Sequence, residues 1–260
     1  MSWGQIIASA QPCEGGYRAE IPEDWLQGRT AYGGLSTALV YEAARRVGGE
    51  GLPPLRSAQI AMIAPVFGEV EVTAREVRRG RNVVWIAAEL STAKGVAISG
   101  SFAFQQQRPS TVEFSAHPVP EDLLPVEDAP PFPGDRGPAF LREHIEARFA
   151  VPRSGDKRPE LCWWVRLRER QGLEPMAELL LAGDILPPGI FPLLDPHTPA
   201  STMHWHCNVL DPAPTTQDGW WLLRSTSDYA GAGFSSEPLM TWNAQGAPLM
   251  TSMQSVAFFD

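Results

Sequence analysis

Apolar residues recur at every second position along much of the first half of the chain: Ile60, Met62 and Ala64; Val70, Val72 and Ala74; Val84, Ile86 and Ala88; Val96, Ile98, Gly100, Phe102 and Phe104. A period of two places each set on one face of a strand. The breaks at residues 65–68, 79–82 and 93–95 carry turn chemistry, which predicts an antiparallel meander of four strands. Just upstream the spacing changes. Leu35, Leu39, Ala43 and Val47 recur every fourth residue, with Gly33 and Gly34 before them and Gly48 and Gly49 after, which predicts a helix with one apolar stripe.

The same grammar returns later. A helical stretch over 175–186 precedes strands at 201–209, 220–230, 234–242 and 248–259, with turns at 217–219 and 243–246. The halves even close alike, on KGVAISGSFAF at 94–104 and QGAPLMTSMQSVAFF at 245–259. Segments 144–149 and 162–167 read as early strands of the second half. Between the halves, 109–138 mixes proline with acidic residues and little periodicity, as a connector does. The chain therefore divides into a first unit at 1–108, a proline-rich linker at 109–138 and a second unit at 139–260. The expected class is α+β: a helix on a curved antiparallel sheet, duplicated at a period near 150 residues and packed as one body.

Composition narrows the function. With 260 residues and 43% hydrophobic content the chain has enough apolar surface for a sizeable core. The apolar runs at 60–66 and 179–181 fall far short of the roughly 20 residues that cross a bilayer, so no membrane partner is expected. The first residues lack a basic, then apolar, export signal, and Cys13, Cys162 and Cys207 form no C-x-x-C pair. Both features point to the cytoplasm. A net charge of −9 argues against nucleic acid as a partner. Any small anion then needs a local basic patch, and Arg78, Arg79 and Arg81 form the candidate.

A helix opening on Tyr32, Gly33 and Gly34, in a unit that occurs twice, resembles the double hot-dog acyl-CoA thioesterases of the thioesterase II type. The resemblance covers nearly the whole chain. It extends to the Gly-Arg turn in RRGRN at 78–82, to Ala182-Gly183-Asp184, to Thr198 ahead of Met203-His204-Trp205-His206, and to Ser252-Met253-Gln254 in the last strand. It implies hydrolysis of acyl-CoA by a water held by Asp184, Thr198 and Gln254, within fatty acid metabolism. Ala200 stands where the family usually has an aspartate, which leaves Ser201 or Thr202 as alternatives for the hydroxyl. Overlaying the halves leaves the first without a matching carboxylate, so one hydrolytic site is expected, in the second half.

Those residue types suit the chemistry. A thioester needs an oriented water, a proton acceptor and donors for the oxyanion, and no covalent nucleophile. Gly33 and Gly34 at a helix start would let substrate approach unpaired backbone N–H groups, while Arg79 and Arg81 would bind coenzyme A phosphates. An apolar tunnel between helix and facing half would take the acyl chain. No metal or other cofactor is implied; His204, His206 and His197 lack a completing carboxylate or thiolate at a characteristic spacing. The paired tryptophans read as packing. G-x-S-x-G, P-loop and H-E-x-x-H signatures are absent. A non-catalytic acyl-CoA binding protein is the alternative reading, and exposed sheet edges suggest a homodimer.

Overall fold

The computed structural model describes residues 1–152, 155 and 157–259. In chain order the elements of the first half are α1 (Trp3–Ser9), β1 (Gln11–Cys13), β2 (Gly16–Ile21), β3 (Leu26–Gln27), β4 (Thr30–Ala31), α2 (Gly33–Gly48), β5 (Leu55–Met62), β6 (Gly68–Arg79), β7 (Val83–Thr92) and β8 (Gly95–Gln105). The second half holds α3 (Ala139–His144), β9 (Ile145–Phe149), β10 (Glu160–Leu167), α4 (Pro175–Gly183), β11 (Ala200–Val209), β12 (Trp221–Thr226), β13 (Tyr229–Gly231), β14 (Phe234–Asn243) and β15 (Pro248–Phe258). Every periodic segment read from the sequence is present. The expected strand at 220–230 is interrupted at Ser227 and Asp228 and divides into β12 and β13.

The long strands form one antiparallel sheet in the order β1-β2-β6-β7-β8-β5-β11-β15-β14-β12-β10-β9. On either side of the central β5–β11 pair the order is the same once β12 and β13, which both pair with β14, are counted as one interrupted strand: after each helix the first strand lies innermost, then the fourth, third and second. The two central strands pair from His204 opposite Ala61 to Asn208 opposite Ser57, so the halves share a continuous hydrogen-bonded ladder.

Both main helices pack together against one face of this sheet, because each carries more apolar surface than solvent tolerates. Leu35, Ala38, Leu39 and Val40 of α2 and Leu179, Leu180, Leu181 and Ala182 of α4 are all buried in one core with Ile60, Phe102, Trp205 and Met250. The helices run antiparallel. Gly34, at the start of α2, lies against Leu181, near the end of α4, while the Tyr41 hydroxyl donates to Glu174 at the α4 N-terminus, 3.2 Å away. Gly49 ends α2 at φ 69°, a left-handed conformation in which a β-carbon is strained. Among the described residues no helix is long and apolar enough to cross a membrane.

Segment 109–138 does more than connect. Its first part is exposed, but Val119, Leu123, Leu124 and Val126 pack on a second cluster containing Trp164, Trp220, Leu222 and Trp242. The Trp164 indole donates to Leu124 O at 2.8 Å and that of Trp242 to His117 O at 2.9 Å. Adjacent residues of a strand face opposite ways, so Trp163 and Trp221 enter the main core while Trp164 and Trp220 need cover on the other face. The strap supplies that cover.

Candidate active site

Asp184 follows the last turn of α4, at its C-cap. Because α2 runs antiparallel beside it, the carboxylate meets the start of the neighbouring helix: the Gly34 backbone N–H donates to it, and a β-carbon on Gly33 would lie 2.5 Å from Oδ2. A side chain at Gly34 would strike the Tyr32 hydroxyl and the Leu181 carbonyl. Gly33 thus gives room to the carboxylate, and Gly34 gives room to helix packing. On the sheet side, Gln254 of β15 is buried and its amide N–H donates to Asp184 Oδ1. The Gln254 carbonyl accepts a hydrogen bond from the Thr202 hydroxyl of β11, 3.4 Å away.

Burial pushes the Asp184 carboxyl up to about 7, against the opposing effect of the Gln254 and Gly34 hydrogen bonds. The helix termini pull in opposite senses: the α4 C-terminus disfavours negative charge and the α2 N-terminus favours it. A carboxyl poised near neutrality can hold or release a proton under ordinary conditions.

These groups line a cavity of about 240 Å³. Of its lining residues Gln27, Ile63, Ala64, Pro65 and Ser201 are exposed, and Ala31, Val66, Ile98 and Leu186 are buried. The lining mixes polar and apolar groups, with Ser36 and Thr30 beside the catalytic candidates, so it is a mixed cleft rather than the apolar tunnel expected.

The structure joins Asp184, Gln254, Gly33 and Gly34 and separates the other candidates from them. Thr198 sits in a turn, its N–H on Asp195 O at 3.0 Å, and is not among the residues lining the cavity. The inward alternation of β11 begins only at Ala200, so the hydroxyl that reaches Gln254 is that of Thr202, not Thr198. Arg79 lies at the opposite end of α2. Its guanidinium donates to the Gly48 carbonyl at 3.1 Å and to Glu76 at 2.8 Å. At 1.5 Å per residue, α2 separates Arg79 from Gly33 by about 24 Å. Arg81 stays with it at the β6–β7 turn, in a shallow pocket with Arg78 and Trp85. Neither arginine reaches the cavity, because a two-strand hairpin tip projects past the helix C-terminus.

His204 and His206 face away from the site, as alternation with buried Trp205 and Cys207 requires, and His206 Nε2 lies 3.3 Å from Ser57 Oγ. Among the described residues no group of three or more His, Cys, Asp or Glu side chains is arranged to hold a metal ion. Residues that the sequence reading did not single out include Leu186, Pro188 and Phe191 after α4, which line the cavity, and Glu237, which is buried on β14 and does not line it. A register count could not have found Glu237: counting out from the turn at 243–246 pairs it with Ser252, and only the register shift between Thr241 and Trp242 sets it opposite Gln254.

A helix-bearing antiparallel sheet with this polar cleft at a helix start defines an α+β protein of the hot-dog class. The chain matches the model of the acyl-CoA thioesterase N-terminal domain over residues 21–105 and that of the C-terminal domain over 120–258, and it belongs to the acyl-CoA thioesterase family. It is a thioester hydrolase. Solved structures agree on the fold. A structure assigned as thioesterase II from Thermobifida fusca YX superposes with a TM-score of 0.83 at 22% identity, covering 100% of this chain and 98% of that one. A hot dog fold protein from Alicyclobacillus acidocaldarius gives 0.88 at 17%, covering 100% and 99%. Acyl-CoA thioesterase II TesB2 from Mycobacterium marinum gives 0.76 at 15%, covering 98% and 97%. No curated protein sequence matches this chain significantly.

Proposed function

We propose that the protein hydrolyses acyl-CoA to a free acid and coenzyme A by direct attack of a water held between Asp184, Gln254 and the Thr202 hydroxyl. The observation that carries this reading is the Asp184–Gln254 hydrogen bond at the start of α2, inside the cavity. Asp184 takes a proton from the water as its oxygen bonds to the thioester carbonyl carbon. The carbonyl oxygen becomes an oxyanion. Gly33 lines the cavity at the first turn of α2, where N–H groups have no intrahelical acceptor, so its N–H is the donor proposed for that charge. The Gly34 N–H is already engaged by Asp184. Collapse of the intermediate breaks the C–S bond, and the proton on Asp184 passes to the departing thiolate.

The repeated strand order supports two tandem hot-dog units, at 1–108 and 139–260, joined by residues 109–138. On this reading the second unit supplies carboxylate, amide and hydroxyl, while the first supplies the helix start they face. Incubation with a panel of acyl-CoA thioesters should release free thiol, detected colorimetrically, and Asp184→Ala should remove at least 99% of that release while leaving the circular dichroism spectrum intact. Tight binding with no thiol release would favour the carrier reading instead.

A further inference from the structure

Of the described residues that line the cavity, four carry hydroxyls: Thr30, Ser36, Ser201 and Thr202. Thr202 donates to the Gln254 carbonyl at 3.4 Å, and Thr30 Oγ1 accepts the Val66 N–H at 2.9 Å, so both are engaged. Ser201 is exposed. Ser36 is left, with 1% exposure on α2, and the chemistry above does not use it.

The Ser36 hydroxyl is weakly held. Among the described residues its one hydrogen bond is donated back to the Tyr32 carbonyl at 3.5 Å, whereas O–H···O bonds centre on about 2.7–2.8 Å. The same carbonyl already accepts the Ser36 N–H at 3.3 Å, so it keeps a partner if the hydroxyl turns away. A serine hydroxyl rotates about its C–O bond and redirects its proton easily. A main-chain carbonyl is no base, so this contact does not activate Ser36 as a nucleophile.

The helix aims that hydroxyl at the reacting centre. Ser36 follows Gly33 by three residues, a spacing that shares one helix face, and each Cα–Cβ bond tilts toward the helix N-terminus. The side chain is thereby carried back toward Gly33, and both residues line the cavity. The Gly34 N–H is committed to Asp184, which leaves the Gly33 N–H as the single backbone donor assigned to the oxyanion. One donor meets only part of the charge that develops on a carbonyl oxygen. The spare hydroxyl on the same face supplies a second.

We propose that Ser36 is a catalytic residue: its hydroxyl swings from the Tyr32 carbonyl to the thioester oxygen as that oxygen gains negative charge, and with the Gly33 N–H it forms a two-donor oxyanion site at the start of α2. Ser36 keeps its proton throughout, and its oxygen forms no covalent bond to the substrate. The inference rests on the hydrolase reading and adds to it a side chain from the first unit that meets the reacting atoms.

The test compares Ser36→Ala and Ser36→Cys with the parent protein on butanoyl-CoA. A donor engaged only as charge develops lowers kcat and kcat/KM together, so Ser36→Ala should reduce kcat by about tenfold to a hundredfold with KM within about threefold. The pH at which kcat/KM rises should stay in place, since the partners of Asp184 are untouched. Ser36→Cys fills the same space with a weak donor and should fall with the Ala variant. Parental kcat in Ser36→Cys assigns Ser36 to packing and overturns the proposal, as does parental kcat in Ser36→Ala or an acyl adduct on Ser36 found by mass spectrometry of the quenched reaction. If Ser36→Ala does not fold, Ser36→Cys decides. Should the parent release no thiol, the hydrolase reading fails separately, and the donor is read by binding. The probes are a butanoyl-CoA analogue with CH2 in place of sulfur, which keeps the carbonyl, and butyl-CoA thioether, which lacks it. Ser36→Ala should weaken the ketone by about threefold or more and leave the thioether unchanged; equal effects on both overturn the proposal.

Discussion

Asp184 carries opposing demands. Its carboxyl is held near 7 by burial, so the base form predominates only above that value. We expect kcat/KM to rise with pH through about 7 and then level, and Asp184→Asn to lower it by two to four orders of magnitude and abolish the rise, as a stopped pH series would report. The same shift costs stability. Between the ordinary carboxylate value near 4 and about 7, the native state retains a proton that the unfolded chain has lost, so stability falls as pH rises through that window. Asp184→Asn removes this dependence. Its melting temperature should exceed the parent's by a few degrees at pH 8 and match it at pH 4; a variant less stable at both pH values would contradict the burial argument. The hydroxyl can be assigned the same way. Thr202→Ala should lower kcat by about tenfold or more, whereas Thr198→Ala, outside the cavity, should stay within about threefold, and the reverse ranking would return the role to Thr198.

At the scale of elements, helix α2 has a chemical end and a structural end. Its N-terminus faces Asp184 through two glycines, and its C-terminus is capped by Arg79. The sequence shows an arginine cluster in a turn, but it does not show which end of a helix that turn meets. That depends on the hairpin length and the crossing of α2 over β6 and β7. Arg79→Ala should cost about 1 kcal/mol through the lost cap hydrogen bond, visible as a fall of a few degrees in melting temperature. The Michaelis constant for acyl-CoA and its salt dependence should not move. A KM raised at low salt and flattened with added salt would reinstate phosphate binding at the turn.

The whole molecule makes one site from two halves. The Gly34 N–H that supports Asp184 comes from the first, and Asp184, Thr202 and Gln254 come from the second. The halves also share the β5–β11 ladder, and separation would leave two long strand edges unpaired. Residues 1–108 and 109–260, produced as separate chains, should each lack thioesterase activity and aggregate, and co-expression should recover activity as the ladder reforms. Full activity in the second fragment alone would show that the α2 start is dispensable.

Much was legible before folding because it depends on local periodicity. Alternation at period two marked β5 to β8 and β11 to β15, a spacing of four marked α2, and the repeated closing segments marked two similar halves. Asp184 and Gln254 were legible only through their resemblance to a family, since a carboxylate before two prolines and a glutamine in a strand are ordinary residues. The cover that segment 109–138 gives to Trp164 and Trp242 was not legible, as proline-rich chain carries no period to reveal what it packs on. Chain order alone thus marked α2, α4 and the long strands from β5 onward, because their periods follow from neighbours a few residues apart, while α1, β1 to β4 and α3 went unread. Only the tertiary structure decided that Thr202 rather than Thr198 meets Gln254, that Arg79 lies a helix length from the cleft, and that Glu237 is buried opposite Gln254. Those relations join residues tens to hundreds of positions apart, and they are set by strand register and antiparallel helix packing.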